Sequence, residues 1–268
     1  MCGCLAIVCA FEGNLVWAAY LVGIAAVFDF FDGFAARLLG VSSPIGKDLD
    51  SLADMVTFGV VPGIVMYKLI GSNSTGVILP GPIKSALAFA DLGWNNVSEF
   101  EIFFLPLIGF IIPVFSAIRL AKFNNDTRQT ESFIGLPTPA NAIFICSLVL
   151  ILIIQFPTDG NWTIYPPLSA LQNKAPEMNW AWKYFGNQYF LIGLTFILSF
   201  LLVAPLPLFA LKFKSFGWKG NEIRYVFLGL SLILLIALKF IGIPLVIILY
   251  ILLSIANNLL KKRDNSLS

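Results

Sequence analysis

Apolar residues in this chain come in long unbroken blocks, separated by short polar intervals, rather than at every third or fourth position. A helix that crosses a bilayer needs about 20 consecutive apolar residues. Blocks of that length predict spans over residues 15–39, 44–70, 101–122, 138–156, 187–211, 222–240 and 242–260. Residues 1–11 are as apolar but too short to cross alone, and they read as the tail of a further span with no cleavable leader pattern ahead of it. The expected fold class is therefore all-α: a polytopic transmembrane helix bundle of about eight helices, the first incomplete. No internal repeat is visible.

Composition agrees. Of 268 residues, 58% are hydrophobic and 12% charged, about half the charged fraction of a soluble domain, which is about 25%. The net charge of +2 says little about partners, and no nucleic-acid partner is expected. There is no histidine, which removes the commonest general base and the commonest transition-metal ligand. Cys2, Cys4, Cys9 and Cys146 sit in apolar runs without zinc-site spacing and read as small hydrophobes. Numbering the connections alternately puts twelve Lys and Arg on one side, among them Arg37, Lys47, Arg119, Lys122, Arg128 and the Lys261-Lys262-Arg263 cluster, and five on the other. By the positive-inside rule the first side is cytoplasmic. The opposite loops, near 71–100 and 157–186, carry Trp94, Trp162, Trp180 and Trp182, suited to a membrane interface.

Four acids break the pattern. They read Asp29-x-x-Asp32-Gly33-x-x-Ala36-Arg37, then eight residues, then Gly46-x-x-x-Asp50-x-x-x-Asp54. An aspartate in mid-membrane costs roughly 2.5–3.5 kcal/mol on insertion scales, so four at helical spacing call for compensation. Residues three and four apart share a helix face. Asp29, Asp32, Ala36 and Arg37 therefore form a stripe at the cytoplasmic end of one helix, which Gly40 can end. Ser43-Pro44 suits the start of the next, with Ser as N-cap and Pro in the first turn. Gly46, Asp50 and Asp54 form the facing stripe, while Asp48 points away and reads as a first-turn acid favoured by the helix dipole. The short connection makes the helices antiparallel neighbours, so the acids can share one cleft.

Hard divalent cations prefer carboxylate oxygens, and two of them a few ångströms apart can clamp a pyrophosphate. Gly33, Ala36 and Gly46 leave room for a ligand to approach the backbone, and Arg37 offers a cationic fork for phosphate. A nucleotide diphosphate fits these parts. A cation transporter is the alternative from another class, but its carboxylates belong near the midplane on broken helices, and here they cluster near one surface beside an arginine.

The eight motif positions from Asp29 to Asp54 resemble the signature of the CDP-alcohol phosphotransferase family. The wider stretches Phe28–Gly33, Ser42–Asp54, Phe58–Gly63, Arg119-Leu120-Ala121-Lys122-Phe123-Asn124 and Gly135-Leu136-Pro137-Thr138-Pro139-Ala140 are similar to membrane-type phosphatidylserine synthases in particular. The resemblance covers about residues 1–155, which would be the catalytic helices; residues 156–268 would be further transmembrane helices of the same membrane domain. It implies that Asp29, Asp32 and Asp50, with Asp54 as a partial ligand, hold two divalent ions, Mg or Mn. It implies that Gly33, Ala36, Arg37 and Gly46 bind the CDP moiety and that Asp54 is the general base. The implied reaction is CDP-diacylglycerol plus L-serine giving phosphatidylserine and CMP, in a bacterial inner membrane, with the site facing the cytoplasm and a homodimer as the common assembly. Glycerol 3-phosphate, inositol and inositol phosphate are the competing acceptors. Serine's carboxylate calls for a cation: Arg119 is the first candidate, Lys122 and Arg128 are alternatives, and Asn124 can hydrogen-bond the amine or the carboxylate.

Overall fold

A computed structural model of the chain describes residues 1–40, 43–75, 104–125, 132–155, 184–209, 217–218 and 221–267. Arg128, the loop tryptophans and the Arg37 side chain lie outside the described residues. In chain order the helices are α1 (Cys2–Phe11), α2 (Leu15–Leu39), α3 (Pro44–Asp54), α4 (Val61–Thr75), α5 (Ile111–Asn125), α6 (Thr138–Gln155), α7 (Gln188–Val203), α8 (Glu222–Leu238) and α9 (Gly242–Leu267). A π-helical segment, Met55–Val60, joins α3 to α4 without a break, and a 3₁₀ turn, Pro106–Phe110, leads into α5.

Four helical stretches are long and apolar enough to cross a membrane: Leu15–Ala36, Ile45–Gly71, Pro106–Asn125 and Glu222–Leu260. Three shorter apolar helices, Cys2–Phe11, Thr138–Leu152 and Gln188–Val203, accompany them. Counted as continuous apolar stretches, the described residues give seven, one of which holds two of the eight expected helices. The predicted spans 222–240 and 242–260 are two arms of one apolar stretch, folded back at a 3₁₀ turn where Lys239 takes φ 50°. The predicted span 187–211 is also too long. Helix α7 stops at Val203, because Pro205 and Pro207 each remove a donor and cannot continue the helix.

Helix α6 is the centre of the bundle. Ile145, Leu148, Val149, Ile151 and Leu152 are at most 1% exposed, as befits a helix that is apolar all round. Helix α2 packs against it with Leu15, Val16, Ala19 and Val22, and α4 adds Val61, Val65, Met66 and Leu69. The outer faces are equally apolar: Ile24, Val27, Phe31 and Phe34 on α2 and Leu232, Ile233 and Ile236 on α8 are exposed. Such a surface is stable against lipid tails, where no water needs to be ordered around it.

The bundle is not purely helical. Strands β1 (Ser132–Ile134) and β2 (Pro207–Phe209) pair antiparallel, with Phe133 opposite Leu208. The pair is continued by Gly135 N–H to Leu206 C=O (3.0 Å) and Leu136 N–H to Leu201 C=O (2.9 Å). Helix α9 braces it: Tyr250 Oη donates to Phe209 C=O (2.9 Å), and Asn258 Nδ2 to Pro207 C=O. This clasp fixes the loop that enters α6. Gly135 sits in it at φ +78°, and a Cβ there would lie 2.5 Å from Leu202 C=O. The left-handed region alone costs an L side chain about 1–2 kcal/mol, and the contact adds to it. At about 2–4 °C per kcal/mol, Gly135→Ala should lower the melting temperature of the detergent-solubilised protein by about 5 °C or more, as read by thermal unfolding; an unchanged melting temperature would mean the clasp is not under this constraint.

Candidate active site

Helix α2 ends where it was expected to end: Gly40 takes φ +63° and stops it. Ser43 then caps α3, its Oγ accepting from Gly46 N–H at 3.0 Å with Pro44 in the first turn. The contact also explains the small residue at 46, since a Cβ there would lie 2.9 Å from Ser43 Oγ. With both ends fixed, α2 and α3 present their acids to each other. One carboxylate oxygen each from Asp29, Asp50 and Asp54 lies within 4.8 Å of the others. Asp29 and Asp54 are half-buried and Asp50 is exposed.

The fourth acid is placed differently. Asp32 is exposed and stands one turn beyond Asp29 on α2, outside the three-acid cluster though within electrostatic reach of Asp29. Gly33 is half-buried, while Ala36 and Gly46 are exposed. Gly33 and Ala36 lie on the same end of α2 as Asp29 and Asp32, and Gly46 lies one turn before Asp50 on α3.

A closed ring of hydrogen bonds holds α3 in this orientation. Lys47 Nζ donates to Asn124 C=O (3.0 Å), Asn124 Nδ2 donates to Ser51 Oγ (2.8 Å), and Ser51 Oγ donates to Lys47 C=O (3.1 Å). Asn124, a sequence candidate for the acceptor, thus has its amide engaged in tying α5 to α3. Lys122 is exposed on the last turn of α5. Asp48 lines a separate cleft of about 350 Å³ on another face of α3, with Leu52, Met55, Leu120 and Ala121, in keeping with its reading as an acid turned away from the others.

Arg119 is the candidate that the fold brings inward. It is 8% exposed, and its Nη1 donates to Thr138 Oγ1 at 3.3 Å. Its guanidinium carbon lies 5.5 Å from the centre of the Phe123 ring. It interacts electrostatically with Asp54 and with Tyr250 of α9. Among the described residues its Nε has no hydrogen-bond partner.

Two features had escaped sequence reasoning. The π-helical segment begins at the residue after Asp54; such segments recur at functional sites, but nothing in Met55-Val56-Thr57-Phe58 announces one. Asn141, on the second turn into α6, is fully buried with both amide atoms unpartnered among the described residues. Its signal was present as a lone amide in the apolar run Ala140-Asn141-Ala142.

Three convergent carboxylates offer only hard oxygen donors, the set that Mg, Mn or Ca accepts. The three oxygens, all within 4.8 Å of one another, are close enough to be drawn onto one shared ion. The fit supports a divalent cation site at Asp29, Asp50 and Asp54.

The sequence model described as CDP-alcohol phosphatidyltransferase matches residues 1–171. A CDP-diacylglycerol–serine O-phosphatidyltransferase of Helicobacter pylori strain J99 is 32% identical over 151 residues, covering 56% of this chain and 52% of that protein. A protein of the same name from Mycobacterium leprae is 35% identical over 153 residues, 54% of this chain and 41% of that one. The archaetidylserine synthase of Methanothermobacter thermautotrophicus is 31% identical over 150 residues, 55% and 52% respectively. The chain spans about half the length of the curated relatives it matches.

Proposed function

We propose, because the chain belongs to the CDP-alcohol phosphatidyltransferase family, that it moves the phosphatidyl group of CDP-diacylglycerol to the hydroxyl of L-serine and releases CMP. The observation that carries this reading is the meeting of Asp29, Asp50 and Asp54 beside a buried arginine. The names of the relatives point to the same donor and acceptor.

In this reading Asp54 is the general base. It takes the proton from the serine hydroxyl as that oxygen forms a bond to the lipid-linked phosphorus, and the bond from that phosphorus to the bridging oxygen breaks, so that CMP leaves with the electron pair. A positioned carboxylate contributes about 10²–10⁴-fold to such a step. Asp29, Asp32, Asp50 and Asp54 would hold two divalent ions, Mg or Mn, which neutralise pyrophosphate and leaving-group charge when bound. Gly33 and Ala36 on α2 and Gly46 at the start of α3 let the CDP moiety lie close to the backbone, and Arg37 supplies charge for its phosphates. Residues 1–155 carry this machinery, and the helices of 156–268 brace it through the β1–β2 clasp.

The charge count favours a carboxylate over a phosphate on the acceptor. Arg119 and Lys68 are the buried cations among the described residues. Lys68 lies 14 positions beyond Asp54, about 21 Å along a helix, so among the described residues Arg119 is the buried cation beside the acids. Lys122 is solvent-exposed. A single fixed cation matches serine's one carboxylate, whereas a dianionic phosphate needs several converging donors. The Lys and Arg distribution, twelve against five, supports a site facing the cytoplasm of a bacterial inner membrane.

An acceptor panel tests the reading. With labelled CDP-diacylglycerol, CMP release and a new lipid should appear with L-serine, and at least about 100-fold less with glycerol 3-phosphate or inositol. Preference for either of those would reassign the acceptor, and absence of CMP release with every acceptor would remove the transferase reading.

A further inference from the structure

Four polar side chains are buried on α5 and α6, two from each, and one of them, Arg119, interacts electrostatically with Asp54. Arg119 and Thr138 are bonded to each other. Ser116 and Asn141 lie one turn deeper on the same two helices, and both are 0% exposed. Among the described residues, Ser116 Oγ, Arg119 Nε and both amide atoms of Asn141 have no hydrogen-bond partner. Buried polar groups are nearly always paired, and each one left unmade costs about 1–3 kcal/mol. These four atoms, on two helices joined by the Arg119–Thr138 bond, form a set of donors and acceptors suited to a small, charged and strongly hydrogen-bonding molecule. The first turn of α6 begins at the same Thr138, and a helix N-terminus adds positive potential.

We infer that Asn141 and Arg119 form the slot that reads the amino-acid end of the acceptor, an inference that rests on the transfer reading above. Arg119 Nε–H donates to the carboxylate. Asn141 Oδ1 accepts from the ammonium, and Asn141 Nδ2 donates to the carboxylate. Serine is short, so its carboxylate and ammonium must sit beside Asp54 if its hydroxyl is to reach that base. An acceptor with the same hydroxyl and carboxylate but no ammonium leaves Asn141 Oδ1 unpaired in the core, and a site built to bond a polar group rejects the analogue that lacks it. Asn141 is thus a specificity-determining residue.

The test uses the full chain in detergent–lipid micelles, with Asn141→Leu as the near-isosteric variant and Asn141→Ala as a smaller one. CMP release is measured with L-serine and with 3-hydroxypropanoate, together with the melting temperature. The unaltered chain should prefer serine by about 100-fold or more, and either variant should cut that preference about 30-fold through the KM for serine, with the KM for CDP-diacylglycerol changed by less than about twofold. Asn141→Leu should melt at the same temperature or higher, because it removes an unpaired buried amide; a purely packing role would lower it. An unmoved preference, equal losses with both acceptors, or failure of both variants to fold would overturn the slot. An unaltered chain that releases no CMP with L-serine would overturn the transfer reading itself, whereas a serine-active chain with an unmoved preference overturns the slot alone.

Discussion

Asp54→Asn should reduce phosphatidyl transfer by about 10³-fold or more while CDP-diacylglycerol still binds within a few-fold of its original affinity. The substitution keeps the shape of the side chain and removes the carboxylate. A base at this position is worth about 10²–10⁴-fold, and losing a partial metal ligand adds to the deficit. The location is what makes the assignment specific. Asp54 is the last residue of α3, half-buried, at the start of the π-helical segment, and it faces both the other acids and Arg119. Single-turnover release of CMP, measured beside equilibrium binding of the nucleotide lipid, separates chemistry from binding. Near-normal turnover by the Asp54→Asn variant would place the base elsewhere.

Arg119→Ala should raise the KM for serine by about 10–100-fold and change the KM for CDP-diacylglycerol far less. A charge-assisted hydrogen bond contributes about 1.5–3 kcal/mol, and each 1.4 kcal/mol is about tenfold. Arg119→Lys should recover only part of the loss, because an ammonium cannot reproduce the fork that bonds Thr138 and still offers Nε–H. Equal changes in both KM values would show Arg119 to be a packing residue that holds α5 to α6. Steady-state kinetics with each substrate varied in turn distinguishes the two.

The parts of the fold legible in the sequence are those that depend on local chemistry. Helix α2 is bounded correctly because an apolar block, then a glycine able to take positive φ, are both written in the chain. The start of α3 is legible for the same reason, in Ser43 and Pro44. What depends on distant partners is not. Asn124 looks like a ligand for the acceptor because nothing local reveals that Ser51, 73 positions away, takes its amide. The β1–β2 clasp has three residues per strand and one of them is Pro207, too little for any alternation to show. Helical spacing puts Asp32 with the other acids, yet three residues turn the helix through about 300°, and the side chain stands exposed at the edge of the cluster. Arg119 can be nominated from its type and position, but its burial, its bond to Thr138 and its neighbour Asn141 follow from how α5 meets α6.

Binding of Mn to the purified chain, followed by electron paramagnetic resonance, tests the central claim most directly: that the acids of α2 and α3 converge to bind divalent cations. The account predicts saturable binding, strengthened by CDP-diacylglycerol, that is lost or weakened by about tenfold or more in Asp29→Asn and in Asp50→Asn, since removing one of three carboxylates takes away much of the ligand charge that sets affinity. Binding that is unchanged in both variants, or no saturable binding in the unaltered chain, would contradict it.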